Sequence, residues 1–246
     1  MSVNSKGRLA LVTGGAGFIG GHLVEGLLRA GWSVRVIDDL STGSERNLAD
    51  AMDRIEFTRG DIRDANALER VMDGVEVVFH QAAMASVPRS IAMPMLSNSI
   101  NVDGTLLVPE TARQAGVRRV VYAASSAVYG NSEVMPKVET LPPTPLSPYG
   151  LQKYIGEVYC RLYSELHGLE TVSLRYFNIF GPRQDPNSDY AAVIPRFVTA
   201  ALAGRSPVIY GDGEQTRDFI YVENAVQANL LAADGLYFSP AYIICV

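Results

Sequence analysis

The sequence predicts an α/β chain built on a doubly wound parallel sheet, and three observations carry that expectation. Short apolar runs alternate with helical patterns along most of the chain. The runs are continuous in Val, Ile and Leu rather than alternating with polar residues, as in strands covered on both faces. A glycine-rich turn, VTGGAGFIGG, lies between the first apolar run and the first helical pattern. With 246 residues, 48% hydrophobic and 19% charged, the chain can form one large packed domain, or one domain with a smaller lobe, and is too apolar for wholesale disorder.

Taken in order, the expected strands are RLALVTG (8–14), SVRVIDD (33–39), IEFTRGD (55–61), VEVVFHQAA (75–83), VRRVVYAASS (117–126) and LETVSLRYFN (169–178). A helix is expected over 18–31, where Ile19, Leu23 and Leu27 share one face and Gly31 is a stop signal. Residues 66–74 and 103–116 repeat the pattern of a helix ending in Gly, with Pro109 predicting a kink or a late start in the second. A longer helix is expected over 149–167, with Ile155, Val158, Leu162 and Leu166 at helical spacing. Strand–helix alternation of this kind is the pattern of a doubly wound sheet. After Asn178 the texture turns rich in Pro, Gly and Asn, which predicts a smaller, loop-rich lobe.

The glycine turn satisfies both Gly15-x-Gly17-x-x-Gly20 and Gly14-x-x-Gly17-x-x-Gly20. Glycines there allow a tight turn and a close backbone approach to a diphosphate, and the helix N-terminus that follows offers free N–H groups. Asp38 ends the second strand about 20 residues on, where a carboxylate accepts from ribose hydroxyls and repels a 2′-phosphate. The pattern is that of a Rossmann-type sheet binding NAD rather than NADP. Asp61, after the third strand, is a candidate for the adenine rim, or a simple strand-end cap.

SPYGLQKY (147–154) places Tyr149 and Lys153 four residues apart behind a Ser-Pro pair. Ser147 suits an N-cap and Pro148 the first helical position. The stretch reads either as an ordinary helix start with two surface side chains or as a proton-transfer pair. Residues i and i+4 meet on one helix face, and an ammonium, joined by a cationic nicotinamide ring, lowers the pKa of a phenol. Beside a dinucleotide turn the second reading is favoured. Ser125 and Ser126, at the carboxyl end of a strand, are candidates to hydrogen-bond the reacting oxygen.

Together these motifs resemble the extended short-chain dehydrogenase/reductases. VIDDLSTG, HQAAMASVPRS, NVDGT, SSAVYG, LRYFNIFGPRQDPNSDYAAVIPRF and GDGEQTRDFIYVENAVQANLL narrow the likeness to nucleotide-sugar 4-epimerases of the UDP-glucose and UDP-N-acetylglucosamine type, from about Arg8 to Ala232. The resemblance implies 4-epimerisation of a UDP-hexose through a 4-keto sugar. Tyr149 would take the proton of the 4-hydroxyl, Lys153 would hold the nicotinamide ribose, and Ser125, with Ser126 beside it, would position the oxygen. It implies a cofactor set of Gly14, Gly17, Phe18, Ile19 and Gly20, then Asp38, Asp39, Ser41, Thr42 and Gly43, then Asp61 and Ile62. Gln81, Ala82, Ala83, Asn101, Tyr176 and Phe177 complete that set. The substrate set it implies is Ser86, Val87, Ser125, Asn178, Ala192, Val193, Tyr210 and Arg217. Arg217 suits a diphosphate by its own chemistry, or a structural ion pair.

Related dehydratases carry an acidic pair after the catalytic hydroxyl residue, and related decarboxylases a Glu at the place of Ala127. Ser126 and Ala127 offer no carboxylate, which disfavours both. A UDP-glucuronate 4-epimerase and a NAD-binding protein without activity remain alternatives. The resemblance further implies a homodimer through helices near 103–116 and 149–167. It divides the chain into a NAD-binding domain over 1–177, rejoined by 217–235, the start of a substrate lobe over 178–216, and an atypical apolar tail over 236–246 in place of the family's continuation.

The net charge of −5 argues against a nucleic-acid partner. No stretch approaches the ~20 apolar residues of a membrane span, and the N-terminus does not read as a secretory signal. Cys160 and Cys245 have no metal-ligand spacing, and the three histidines are scattered. The expectation is a cytoplasmic, metal-free protein.

Overall fold

The computed structural model describes residues 8–185, 193–209, 211–235 and 242–246. In chain order the elements are β1 (Leu9–Thr13), α1 (Phe18–Arg29), β2 (Ser33–Asp38), β3 (Ile55–Arg59), α2 (Ala65–Met72) and β4 (Val77–His80). Then follow α3 (Val87–Ala92), α4 (Pro94–Asn98), α5 (Thr105–Gln114), β5 (Arg119–Ser125), α6 (Pro148–His167) and β6 (Glu170–Tyr176). The last are β7 (Asn178–Phe180), α7 (Val193–Leu202), β8 (Phe219–Tyr221), α8 (Val222–Asp234) and β9 (Tyr242–Cys245).

A parallel sheet runs in the order β3-β2-β1-β4-β5-β6-β9, and β7 pairs with β8 apart from it. The expected doubly wound architecture is present. Chain order reverses between β1 and β4, whose ends are in register at Thr13 and His80. Ligands of such sheets sit outside the carboxyl ends of the strands at this switch point.

Both sheet faces are covered, which is why the strand sequences are apolar without alternation. Ala10 and Val12 of β1 face a core shared with α1 and α8, while Leu11 faces the opposite core shared with α2 and α5. β4 repeats this, with Val77 and Phe79 on the first face and Val78 on the second. Helices α1 and α8 approach closely because residue 26 is glycine, where a Cβ would meet Val226 Cγ1 at 2.4 Å. The C-terminal carbonyls of α8 are met by Arg119 of β5, buried at 2% exposure, which donates to Ala232, Ala233 and Gly235.

The structure differs from the sequence reading in three stretches. The helical run before Pro109 begins far upstream. It passes from α4 through a π-helical turn, Ser99–Gly104, into α5, with Pro109 buried inside α5. The change of winding therefore lies ahead of the proline rather than at it. The short helices α3 and α4 had no periodic signal. Residues Tyr242–Cys245, read as part of an ill-fitting apolar tail, form a parallel strand beside β6, with Val172 opposite Tyr242. The Val246 carbonyl accepts from Phe177 N and its N–H donates to Arg175 O.

Candidate active site

The turn from β1 into α1 is shaped by close backbone approach. Gly14 takes φ +71°, its N–H donates to Ile37 O at 2.8 Å, and a Cβ there would lie 2.6 Å from Ala82 N. At Gly20 a Cβ would lie 2.1 Å from Gly14 O. Gly17 is the N-cap of α1 and offers no side-chain cap, and no acidic residue stands in the first turn. The first N–H groups of α1 are thereby left for an anion, in the favourable field of the helix dipole.

Asp38 closes this turn from the end of β2. One of its oxygens accepts from Ala16 N at 2.9 Å and the other from Leu40 N at 2.8 Å. Burial pushes the carboxyl's pKa up, and the two amides partly offset that. Each oxygen keeps a further lone pair for a hydroxyl donor. Gly43 lies so close that a Cβ would sit 2.9 Å from Ala16 C.

A cavity of about 550 Å³ opens along the carboxyl ends of the strands. Its lining includes Gly14, Gly17, Phe18, Ile19 and Gly20 from the glycine turn, and Asp38, Asp39, Ser41, Thr42 and Gly43 after β2. Asp61 and Ile62 follow β3 into the wall, Gln81, Ala82 and Ala83 follow β4, and Ser125, Tyr149, Lys153, Tyr176 and Phe177 close the far end. These are nearly all the residues expected to hold the cofactor. Asp61 is held below the usual carboxylate range by the Arg63 guanidinium, which grips both of its oxygens. The Tyr176 hydroxyl accepts from Gln81 Nε2 at 3.2 Å and from Asn229 Nδ2 at 2.5 Å, which ties α8 to the cavity wall.

At the far end Ser147 caps α6, accepting from Gly150 N at 3.1 Å behind Pro148. Tyr149 therefore occupies the first turn. The Ser125 side chain acts on the Tyr149 hydroxyl and partly offsets the effect of burial on the phenol's pKa. Lys153 is 3% exposed, and its Nζ donates to Ala123 O at 2.8 Å and lies 6.0 Å from the centre of the Tyr149 ring. The electrostatics depart from expectation here. Burial raises the pKa of Tyr149 rather than Lys153 lowering it, and burial lowers the Lys153 ammonium to about 8. The sequence shows the neighbour four residues away but not the desolvation that both groups share.

Seven expected residues lie outside the lining. Asn101 is 1% exposed and spends its amide on Met84, Ser97 and Gln152, so it braces the wall from behind. Ser126 starts the short 3₁₀ turn Ser126–Tyr129. Ser86 caps α3 by accepting from Arg89 N, and Val87 is 38% exposed. Asn178 donates to Asp218 O, Val193 opens α7, and Arg217 donates to Thr216 O. Ala192 and Tyr210 fall outside the described residues. The lining residues that sequence reading missed include Arg63, Met84, Ala85, Arg89, Leu96 and Ile100. Most belong to the α3–α4 segment or lead into it; Met84, Ala85 and Arg89 lie within HQAAMASVPRS, but nothing in that run marks them as part of the cavity wall.

Among the described residues no cluster of His, Cys, Asp and Glu is placed to hold a metal, and no helix is long and apolar enough to cross a membrane. Cys160 is a free, buried thiol whose pKa burial pushes up to about 12.

Comparison with known proteins agrees with this geometry. UDP-glucose 4-epimerase of Mycolicibacterium smegmatis is 44% identical over 222 residues, which is 89% of this chain and 71% of that protein. UDP-N-acetyl-alpha-D-glucosaminuronate decarboxylase of Bacillus cytotoxicus is 37% identical over 232 residues, 92% of this chain and 71% of that protein. Among solved structures, UDP-N-acetylglucosamine 4-epimerase from Methanobrevibacter ruminantium M1, in complex with UDP-N-acetylmuramic acid, superposes with a TM-score of 0.93 at 45% identity, covering 98% of this chain and 76% of that one. Residues 10–242 match the NAD dependent epimerase/dehydratase family. The glycine cradle, the Asp38 carboxylate and the Tyr149–Lys153 face fit NAD as the cofactor, and the chain belongs to the NAD dependent epimerase/dehydratase family.

Proposed function

We propose that this chain is an NAD-dependent 4-epimerase of a UDP-hexose, acting on UDP-N-acetylglucosamine and UDP-N-acetylgalactosamine or on UDP-glucose and UDP-galactose. One observation carries the choice over the dehydratase and decarboxylase chemistries of related enzymes. The carboxylates in the described cavity lining stand at the end of β2 (Asp38), just after it (Asp39) and after β3 (Asp61), and none stands at the end of β5, where Ser125 is. An elimination or decarboxylation that needs an acid beside the reacting hydroxyl has none here. Reversible oxidation and reduction at one carbon needs only a proton shuttle.

In this reading Tyr149 exchanges the proton of the sugar 4-hydroxyl and Ser125 holds the same oxygen. When bound, NAD would supply a reversible hydride acceptor for C4 of the sugar. Lys153, one helical turn from Tyr149 and lining the same cavity, would hold the nicotinamide ribose of bound NAD. Lys153 is buried at 3% exposure, and the half-buried Tyr149 lines the cavity in which the sugar would sit. Residues 178–216 begin the substrate lobe, and 217–235 rejoin the NAD-binding domain. The chain dimerises through α5 and α6, where Leu151 and Leu166 are exposed at 48% and 70%.

The test is to incubate the purified chain separately with UDP-N-acetylglucosamine and UDP-glucose and to follow the products by proton NMR. The expected result is the galacto epimer of at least one of them. A 4-keto-6-deoxy product from UDP-glucose, carbon dioxide release from a UDP-uronate, or no conversion of either sugar overturns the proposal.

A further inference from the structure

Three positively charged side chains line the described cavity: Arg63, Arg89 and Lys153. Two are already engaged. Arg63 grips Asp61 with three hydrogen bonds and reaches Ser99 with a fourth, and Lys153 donates to Ala123 O. The guanidinium of Arg89 has no hydrogen bond or ion pair with any described residue, although it is half-buried. Its backbone is held firmly. Its N–H donates to Ser86 Oγ at 3.2 Å and its carbonyl accepts from Met93 N at 2.8 Å. The next residue, Ser90, is fully buried and accepts from Tyr149 N at 3.1 Å. A half-buried guanidinium on a fixed backbone, facing a cavity and lacking a protein anion, is positioned for an anion from outside the chain.

We propose that Arg89 is a diphosphate-binding residue of this cavity. A guanidinium presents paired N–H donors that match phosphate oxygens. The glycine turn offers backbone amides and a helix dipole but no full positive charge. A diphosphate carries two negative charges, and the cavity's own carboxylates, Asp38 and Asp39, add to the charge that must be offset. Arg217, the residue with the matching chemistry in the sequence, lies outside the lining. The diphosphate comes from NAD or from a UDP-sugar, and the UDP-sugar source rests on the proposed function.

The test compares the chain with Arg89→Gln and Arg89→Lys in two measurements that need no turnover. One is the release rate of bound NAD, followed by exchange with isotope-labelled NAD. The other is the affinity for UDP by calorimetry. Loss of a charge-assisted contact is expected to change one of them by about tenfold or more in Arg89→Gln, with Arg89→Lys intermediate and the effect shrinking as salt is raised. Faster NAD release assigns the contact to the cofactor, and weaker UDP binding assigns it to the substrate. Unchanged NAD release and unchanged UDP affinity in Arg89→Gln overturn the proposal. So does an equal loss in Arg89→Gln and Arg89→Lys accompanied by a lowered melting temperature, which marks a folding role instead. A chain that binds both ligands yet converts no sugar would sink the epimerase reading and leave this one standing.

Discussion

Lys153 spends its ammonium on the carbonyl of Ala123, 2.8 Å away, rather than on the phenol of Tyr149, whose ring centre lies 6.0 Å off. Burial raises the pKa of Tyr149 and keeps it a neutral phenol, with the Ser125 side chain partly offsetting that. The proton shuttle proposed here therefore passes through the Tyr149 hydroxyl, with Lys153 one helical turn away on the same face. Tyr149→Phe removes that hydroxyl and nothing that shapes the glycine turn. Turnover is expected to fall by at least the roughly 10²–10⁴-fold that general acid–base catalysis contributes, with NAD content per chain unchanged. Wild-type turnover in this variant would remove Tyr149 from the reaction.

Ser90 accepts from the Tyr149 backbone N–H at 3.1 Å and donates to Val87 O at 2.7 Å, so one buried hydroxyl joins α3 to the first turn of α6. Ser90→Ala leaves that N–H without its acceptor, at a cost of about 1–3 kcal/mol. The melting temperature is expected to drop by about 2–4 °C for each kcal/mol lost. A positioning role adds a second effect, a lower kcat at unchanged KM, because Tyr149 is misplaced while the substrate contacts remain. A lower melting temperature with kcat intact would mean that Ser90 only stabilises the fold.

The parts of this protein that were legible in the sequence are those with a repeating or densely spaced signal. β1 and β4 were readable because both sheet faces are covered, so Ala10, Leu11 and Val12 are all buried and all apolar. The glycine turn, Asp38 and the i,i+4 pair at Tyr149 and Lys153 have spacings fixed by helix and turn geometry. Helices α3 and α4 were not readable. They have six and five residues, each with a proline in its first turn, too short to show a period of 3.6. Arg63 stands outside every motif, Arg89 sits unmarked within HQAAMASVPRS, and only the cavity singles them out. Asn101 was readable as a motif residue but not as a brace, because its partners Met84, Ser97 and Gln152 come from three separate segments.

Gly20 and Gly31 separate lack of space from backbone strain. At Gly20 a Cβ would lie 2.1 Å from Gly14 O and 2.8 Å from Gly15 Cα, so Gly20→Ala must push α1 away from the turn. At Gly31, with φ +83°, nothing lies within 4 Å, and Gly31→Ala meets only the left-handed backbone penalty of about 1–2 kcal/mol. Both variants are expected to lose stability in denaturant titrations. Only Gly20→Ala is expected to lose NAD, read as the absorbance of cofactor released from the denatured protein. Full NAD content in Gly20→Ala would show that the turn tolerates displacement and that the close approach is not what holds the diphosphate.

His80 gives the fold a predictable acid sensitivity. It is 1% exposed, its two ring nitrogens engage the hydroxyls of Thr13 at 2.8 Å and Thr105 at 3.1 Å, and its ring stacks on Tyr122. Burial, helped by the Lys153 charge, lowers its pKa to about 3. The folded chain therefore keeps His80 neutral while the unfolded chain protonates it near pH ~6.5. Its contribution to stability is complete above pH ~6.5 and is lost as the pH falls from there toward 3, at up to about 1.4 kcal/mol per pH unit. His80→Asn cannot titrate, so its stability should depend less steeply on pH over this window even though it is less stable at pH 7. Between pH 6.5 and 5 the wild type is expected to lose about 2 kcal/mol more than His80→Asn in denaturant titrations. The other titrating groups, Asp38 included, are common to both proteins and cancel in the difference. Parallel pH profiles would mean that His80 takes up its proton in the folded state, and that the Thr13–His80–Thr105 chain opens readily to water.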